Sequence, residues 1–271
     1  MREMELGSLN VELPDEPAGA DAAARPDFGH IDFTGLPNTR DLGGLPAADG
    51  RRVRPGLLLR SGNLGFGSED DLARLRDEYG LKLVVDLRNE VEISEVPDPM
   101  DAFPGARYVN ACILRSENMG ITQEASVRVR AAQQRAREAN DPVVFMEELY
   151  PDMLLEEAGI EGYGTFLHAL AACGEGAALW HCYVGRDRCG LASVLLESAL
   201  GVPRAAIEND YLATNLFAPR ELTVDGPASL RSLGAALAAV EREFGSVAGY
   251  IRDALGVSDD EVAAMRGRYL A

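Results

Sequence analysis

The chain is poor in the side chains that usually hold metals. Its 271 residues include four cysteines (Cys112, Cys173, Cys182 and Cys189) and three histidines (His30, His168 and His181). No two cysteines form a CxxC pair, so no structural zinc centre is expected, and four are too few for a disulfide scaffold at this length. Positive charge is also scarce. Lys and Arg total 26 against 44 Asp and Glu, a net charge of -18. Such a surface repels nucleic acid and anionic lipid, so neither is expected as a partner. A small anion is still compatible, because arginines and backbone dipoles can reverse the field inside one pocket. No apolar run approaches membrane-spanning length, and the opening MREMELGSLNVELPDEP lacks the apolar stretch of a signal peptide. These absences imply a cytoplasmic, reduced protein with no structural zinc site.

What remains is 46% hydrophobic, enough for one large core. Residues 1–28 are acidic, rich in Ala, Pro and Gly, and aperiodic, which reads as a flexible arm; residues 29–271 read as a single catalytic domain. Strands are expected at 56–62 (GLLLRSG), 81–89 (LKLVVDLRN), 106–113 and 177–180 (AALW). Helices are expected from Ser68 to Gly80, in two stretches of 121–158, and at 162–173 and 190–201. Four more fill the C-terminal third: 203–216, 227–243, 246–255 and 258–270, the last opened by a Ser258–Glu261 capping box. The first stretch of 121–158 reads as a solvated helix, with a lid over a pocket as the alternative. His168 reads as a packed, satisfied histidine. Strands alternating with helices, then a helical C-terminal third, imply an α/β fold.

The chemistry concentrates in HCYVGRDRCG, residues 181–190, between AALW and the apolar GLASVLLESALG. A loop joining the end of a strand to the start of a helix turns amide N–H groups inward, and the helix dipole adds partial positive charge. Gly185 permits a tight reversal and Gly190 close packing as the helix begins. Metal binding, a disulfide, and a nucleophile with a neighbour are the three readings of Cys182 and Cys189. Metal binding lacks partner ligands. A nucleophile fits: thiolate is favoured in an amide cradle, and Arg188 offers a planar fork for two phosphate oxygens. The expected sequence is attack by Cys182, a cysteinyl-phosphate, then hydrolysis.

HCYVGRDRCG resembles the signature loop of the cysteine-dependent protein tyrosine phosphatases. It is most similar to an atypical bacterial branch whose loop reads HCxxGKDR followed by Thr or Ser and Gly. NTRDLGG (38–44), LLRSGNL (58–64), VVDLRNEVE (84–92) and GYIRDALGVSDDEV (249–262) match that branch in order. The resemblance implies a partly parallel central sheet flanked by helices, and metal-independent hydrolysis of phosphotyrosine, sometimes of phosphoserine, phosphothreonine or phosphoinositides. It makes Cys182 the nucleophile, Arg188 the phosphate-binding arginine and Asp187 a candidate general acid. Tyr183, Val184, Gly185, Arg186, Cys189 and Gly190 would line the substrate site. Asp86 is the competing acid or a further substrate contact, unless it merely pairs with Arg88 to brace the loop. Arg40 with Asp41, and Arg60, are expected to hold turns at the sheet edge.

Two positions depart from the branch. Arg186 replaces lysine and is expected to keep a cation at the pocket rim. Cys189 replaces the hydroxyl residue, and a thiol is a weaker donor to the nucleophile, so slower turnover is expected. The partner is therefore a phosphorylated substrate, a phosphoprotein or a small phosphorylated metabolite. A catalytically weak phosphate-binding module and a sulfurtransferase are the competing classes. Oligomeric state is not legible in the sequence.

Overall fold

The computed structural model describes residues 27–115, 123–141, 143–219 and 226–271, giving only the backbone for 123–130. All but the last two residues of the expected N-terminal arm lie outside that set. Five strands form one sheet: β1 Arg40–Asp41, β2 Leu58–Ser61, β3 Leu81–Asp86, β4 Arg107–Asn110 and β5 Ala177–His181. Their order is β1-β2-β5-β3-β4, with β1 antiparallel to β2 and the other pairs parallel. The expected partly parallel sheet flanked by helices is present; three of the four expected strands appear in shortened form, and that at 177–180 extends to His181. The two-residue β1 was hidden because NTRDLGG is dense in turn formers.

The helices are α1 Glu69–Asp77, α2 Glu90–Glu95, α3 Gln123–Ala139, α4 Val143–Leu155, α5 Glu157–Ala171, α6 Asp187–Leu200, α7 Arg204–Phe217, α8 Leu230–Phe244, α9 Val247–Asp253 and α10 Asp259–Tyr269. Caps account for several starts. Ser68 with Asp71 boxes α1, and Ser258 with Glu261 boxes α10 as the sequence implied. Among the described residues no helix is long and apolar enough to cross a membrane.

Strand parity divides the core. Leu58, Leu83, Val85, Ala178 and Trp180 face one side, against α4 to α8. Leu59, Leu81, Val84, Ala177 and Leu179 face the other, with Leu36, Leu64 and Leu75. Because side chains alternate along a strand, Cys182 continues the Ala178–Trp180 row and His181 falls on the opposite face. Both central strands are buried on two faces, as parallel strands under helices must be. The pairings Ser61–His181 and Asp86–His181 align the C-terminal ends of β2, β5 and β3. That edge is where parallel α/β sheets hold ligands.

The two stretches of 121–158 behave differently. α3 is mostly exposed from 133 to 140, and Arg135 Nε donates to Glu148 at 2.6 Å, tying it to α4. α4 is a core helix, burying Met146, Tyr150, Met153 and Leu154. His168 corrects the sequence reading. Its side chain is 44% exposed, and its Nδ1 lies 2.7 Å from Glu261 Oε1 on α10.

Candidate active site

The loop from Cys182 to Arg186 owes its shape to groups outside it. Asn63 N donates to the carbonyl of Tyr183 at 3.0 Å. Asn38 Nδ2 donates to the carbonyls of Val184 (3.3 Å) and Gly185 (3.0 Å), and also to Thr214 Oγ1. Arg60 Nη2 donates to the carbonyl of Gly185 at 2.9 Å and reaches that of Arg186 at 3.5 Å. In a trans peptide the C=O and the following N–H point in opposite directions. Four successive carbonyls held outward therefore turn the amides of residues 184–187 inward, over Cys182. Gly185 N donates to Cys182 Sγ at 3.3 Å accordingly. Gly185 has φ +77°, and a Cβ there would sit 2.7 Å from the Ser61 carbonyl, so only glycine fits.

Arg60 and Arg40 do more than hold turns at the sheet edge. Arg40 Nη1 donates to Asp210 Oδ1 at 2.9 Å, Arg60 Nη1 reaches Asp210 Oδ2 at 3.3 Å, and all three side chains are buried. The partner of Arg40 is thus Asp210 of α7, distant in sequence. Asp41 instead accepts from Gly43 N and Gly56 N. The buried carboxylate offsets one of the two arginine charges and so lowers the desolvation cost of holding them beneath the loop.

Cys182 is 3% exposed. Its pKa is lowered to about 5, first by a hydrogen bond from the Cys189 thiol, then by the Arg188 charge and the Cys189 amide, which together outweigh burial. Cys189 itself is pushed well up, by burial and by the adjacent Cys182, so it stays protonated and donates. Its single S–H has a second acceptor, the Ser61 carbonyl at 3.6 Å. A thiol thus stands where the resemblance gave a hydroxyl.

Arg188 was expected to be the phosphate fork. Two of its five N–H groups go to Glu92: Nη1 to Oε2 at 2.6 Å and Nη2 to Oε1 at 2.7 Å. Burial would lower the arginine's pKa, but the Glu92 contacts reverse this and keep it cationic; Arg188 in turn holds Glu92 below the usual carboxylate range. Glu92 is the partner of Arg188 that sequence reasoning missed. It lies on α2, which was also missed, and it accepts from Asn89 N in a capping box. The spacing of Asn89 and Glu92 in VVDLRNEVE was a legible signal for that helix start.

Asp187, the first residue of α6, is 21% exposed. Its Oδ1 accepts from Tyr150 Oη at 2.6 Å, and Arg186 Nε lies 3.0 and 2.9 Å from Oδ1 and Oδ2. Arg186 does not stand at the rim as expected. It is 5% exposed, and its Nη1 donates to the carbonyl of Gly226. A Cβ on Gly190 would come within 3.3 Å of the Tyr211 ring, so α6 and α7 meet closely there. Tyr183 and Val184 are partly exposed on the loop, and the Tyr183 ring meets Phe66 edge-on with centroids 6.0 Å apart.

Asp86 lies in a sealed network. Arg88 donates to both of its oxygens at 2.9 and 2.7 Å, Tyr108 Oη donates at 3.0 Å, and the carboxyl has no solvent exposure. Of the alternatives left open by the sequence, the pair with Arg88 is present. Arg88 also donates to Asp98 at 2.8 Å, and Asp98 lies 2.8 Å from His181 Nε2. Burial alone would lower the His181 pKa, but the Asp98 hydrogen bond and the two aspartate charges raise it instead. Asp86, Asp98 and His181 bring three ligand-type atoms within 4.8 Å of one another. The Arg88 guanidinium already bridges the two carboxylates, so a cation occupies their charge.

The sequence pattern of the tyrosine phosphatase family matches residues 31–271. A Cupriavidus necator protein, named as a candidate tyrosine-protein phosphatase, is 36% identical over 97% of this chain and 96% of its own. The triple specificity protein phosphatase PtpB of Mycobacterium tuberculosis is 27% identical over 87% of this chain and 97% of its own. A tyrosine-protein phosphatase of Nostoc commune is 24% identical over 82% and 77%. With a buried, acidic cysteine under an amide cradle and a family match from Ile31 to the last residue, the chain belongs to the tyrosine phosphatase family and is a phosphatase.

Proposed function

We propose that the enzyme hydrolyses phosphomonoesters through a cysteinyl-phosphate, with no metal ion. The observation that carries this reading is the loop itself: four outward-held carbonyls, inward amides, and Cys182 with a pKa lowered to about 5. At neutral pH the nucleophile is already a thiolate. The amides and Arg188 supply the charge compensation that a metal provides in other phosphatases. Glu92 fixes the guanidinium plane before substrate arrives, so less orientation entropy is lost on binding.

As the S–P bond forms, the P–O bond breaks and the leaving oxygen takes a proton. Asp187 is the donor in this reading, because it is partly exposed at the loop whereas Asp86 is sealed by Arg88. Water then attacks phosphorus and returns Cys182 to thiolate. The aromatic corner of Tyr183 and Phe66, the latter 44% exposed, favours an aryl phosphate such as phosphotyrosine.

A panel of p-nitrophenyl phosphate, phosphotyrosyl, phosphoseryl and phosphothreonyl peptides, nucleotides and sugar phosphates, assayed in chelator, tests the whole reading. Activity that survives chelation, prefers the phosphotyrosyl peptide and vanishes in Cys182→Ser is expected. Activity that requires a divalent metal, or persists in Cys182→Ser, would overturn it; a strong preference for a small metabolite would overturn the substrate class alone.

A further inference from the structure

Asp187 sits at the end of a directed chain of hydrogen bonds that reaches back through α4 to Tyr211 on α7. Tyr211 Oη donates to Tyr150 Oη at 3.0 Å, and Tyr150 Oη on α4 donates to Asp187 Oδ1 at 2.6 Å. A carboxylate only accepts, and a phenol carries one hydrogen. Tyr150 therefore spends its hydrogen on Asp187 Oδ1 and accepts from Tyr211. Burial raises the pKa of both phenols, so neither gives up its proton in the working range. Their rings meet edge-on, with centroids 6.4 Å apart, which restricts rotation of either hydroxyl out of line.

We propose that Tyr150 is a positioning residue for the leaving-group acid: by filling Oδ1 of Asp187 it directs the transferable proton to Oδ2, with Tyr211 holding it in that role. The proposal rests on Asp187 being the general acid. Tyr150 Oη and Arg186 Nε both donate to Oδ1 and fill its two lone-pair sites, whereas Oδ2 has Arg186 Nε alone, so the proton takes the open side of Oδ2. As the Cys182 S–P bond forms and the P–O bond breaks, the electron pair goes to the leaving oxygen, which takes the Oδ2 proton. Asp187 is left a carboxylate, stabilised by Tyr150 and Arg186, while Tyr150 keeps its own hydrogen throughout. The α4 helix, buried and remote in sequence from the loop, is thereby part of the acid's support.

The test is kcat/KM of Tyr150→Phe across aryl phosphates of rising phenol pKa, from p-nitrophenyl to phenyl phosphate, with Asp187→Asn as reference. A poor leaving group needs the proton and a good one does not. Tyr150→Phe should therefore lose about tenfold with phenyl phosphate and little with p-nitrophenyl phosphate. The pH profile of Cys182 alkylation should not change, which separates loss of acid alignment from damage to the loop. If Asp187→Asn steepens the leaving-group dependence while Tyr150→Phe affects all substrates equally or not at all, the Tyr150 proposal fails and the acid reading stands. If Asp187→Asn shows no such dependence, the acid reading fails first and takes the proposal with it. Should Tyr150→Phe not fold, Tyr211→Phe keeps the Tyr150 hydroxyl but frees it to turn; the same selective loss is expected, and its absence overturns the proposal.

Discussion

Two cysteines in one loop divide the work at the scale of single residues. Cys182 is acidic mainly because the Cys189 thiol donates to it, with Arg188 adding its charge. Alkylation of Cys182 by iodoacetamide should therefore titrate with a midpoint near 5. Cys189→Ala removes the largest contribution and should move the midpoint upward, toward the ordinary thiol range. Cys189→Ser offers a stronger donor at the same place, so the low midpoint should persist and turnover should rise, by about tenfold for each 1.4 kcal/mol recovered in the transition state. An unchanged midpoint in Cys189→Ala, or unchanged turnover in Cys189→Ser, would show that the thiol is a bystander. Glu92 invites a parallel experiment. Glu92→Gln halves the bidentate clamp on Arg188 and leaves a neutral partner, so kcat/KM should fall by roughly ten- to a hundredfold while the alkylation midpoint moves little.

Elements assemble the site from pieces that are short and scattered. Asn38 precedes β1, Arg60 lies on β2, Asp210 and Thr214 lie on α7, and all converge on the carbonyl side of one loop. Asn38→Ala would leave the Gly185 carbonyl with Arg60 alone and the Val184 carbonyl bare. Its expected cost is about 1–3 kcal/mol of stability, with loss of activity in protein that remains folded, checked by urea denaturation beside a rate assay. Here the limits of the sequence become physical. β2, β3 and β5 were legible because continuous apolar runs announce strands covered on both faces. The loop was legible because nucleophile, glycine and arginine lie within ten residues. The supports of that loop were not: Arg40 pairs with Asp210 across 170 positions, and Glu92 meets Arg188 across 96. Long-range pairing has no local period to betray it. The six-residue α2 was missed because it buries none of its side chains, so no hydrophobic stripe marks it, although its capping box was on the page. Arg186 was misjudged for a related reason, since a cation in a loop reads as exposed until Asp187 and the Gly226 carbonyl are seen to enclose it.

For the whole molecule, charge sets how stability follows pH. Asp71, Asp86, Glu92 and Glu261 all have folded pKa values below their ordinary ones, Glu261 at about 2. Each group contributes stability that is present above its unfolded pKa and is lost as pH falls through the folded value. The urea midpoint should therefore drop steeply between about pH 5 and pH 2, more steeply than one carboxylate allows. His181 has the opposite sign: its folded pKa is raised, so its contribution is full below about 6.5 and is lost as pH rises through the folded value. Cys182, lowered from 9.0 to about 5, gains stability over that same alkaline range and masks the histidine. In Cys182→Ser the mask is gone, and stability should fall on raising the pH past neutrality; a flat profile there would contradict the charged His181–Asp98 pair. Above all of this stands the chemistry of the loop. The most direct test is to quench the enzyme with denaturant during turnover of an aryl phosphate in chelator and map the phosphoryl group by peptide mass spectrometry. A phosphoryl group on the Cys182 peptide, absent from Cys182→Ser, is the expected result; full turnover with no phosphorylated peptide, or with the phosphoryl group on another residue, would contradict the cysteinyl-phosphate mechanism.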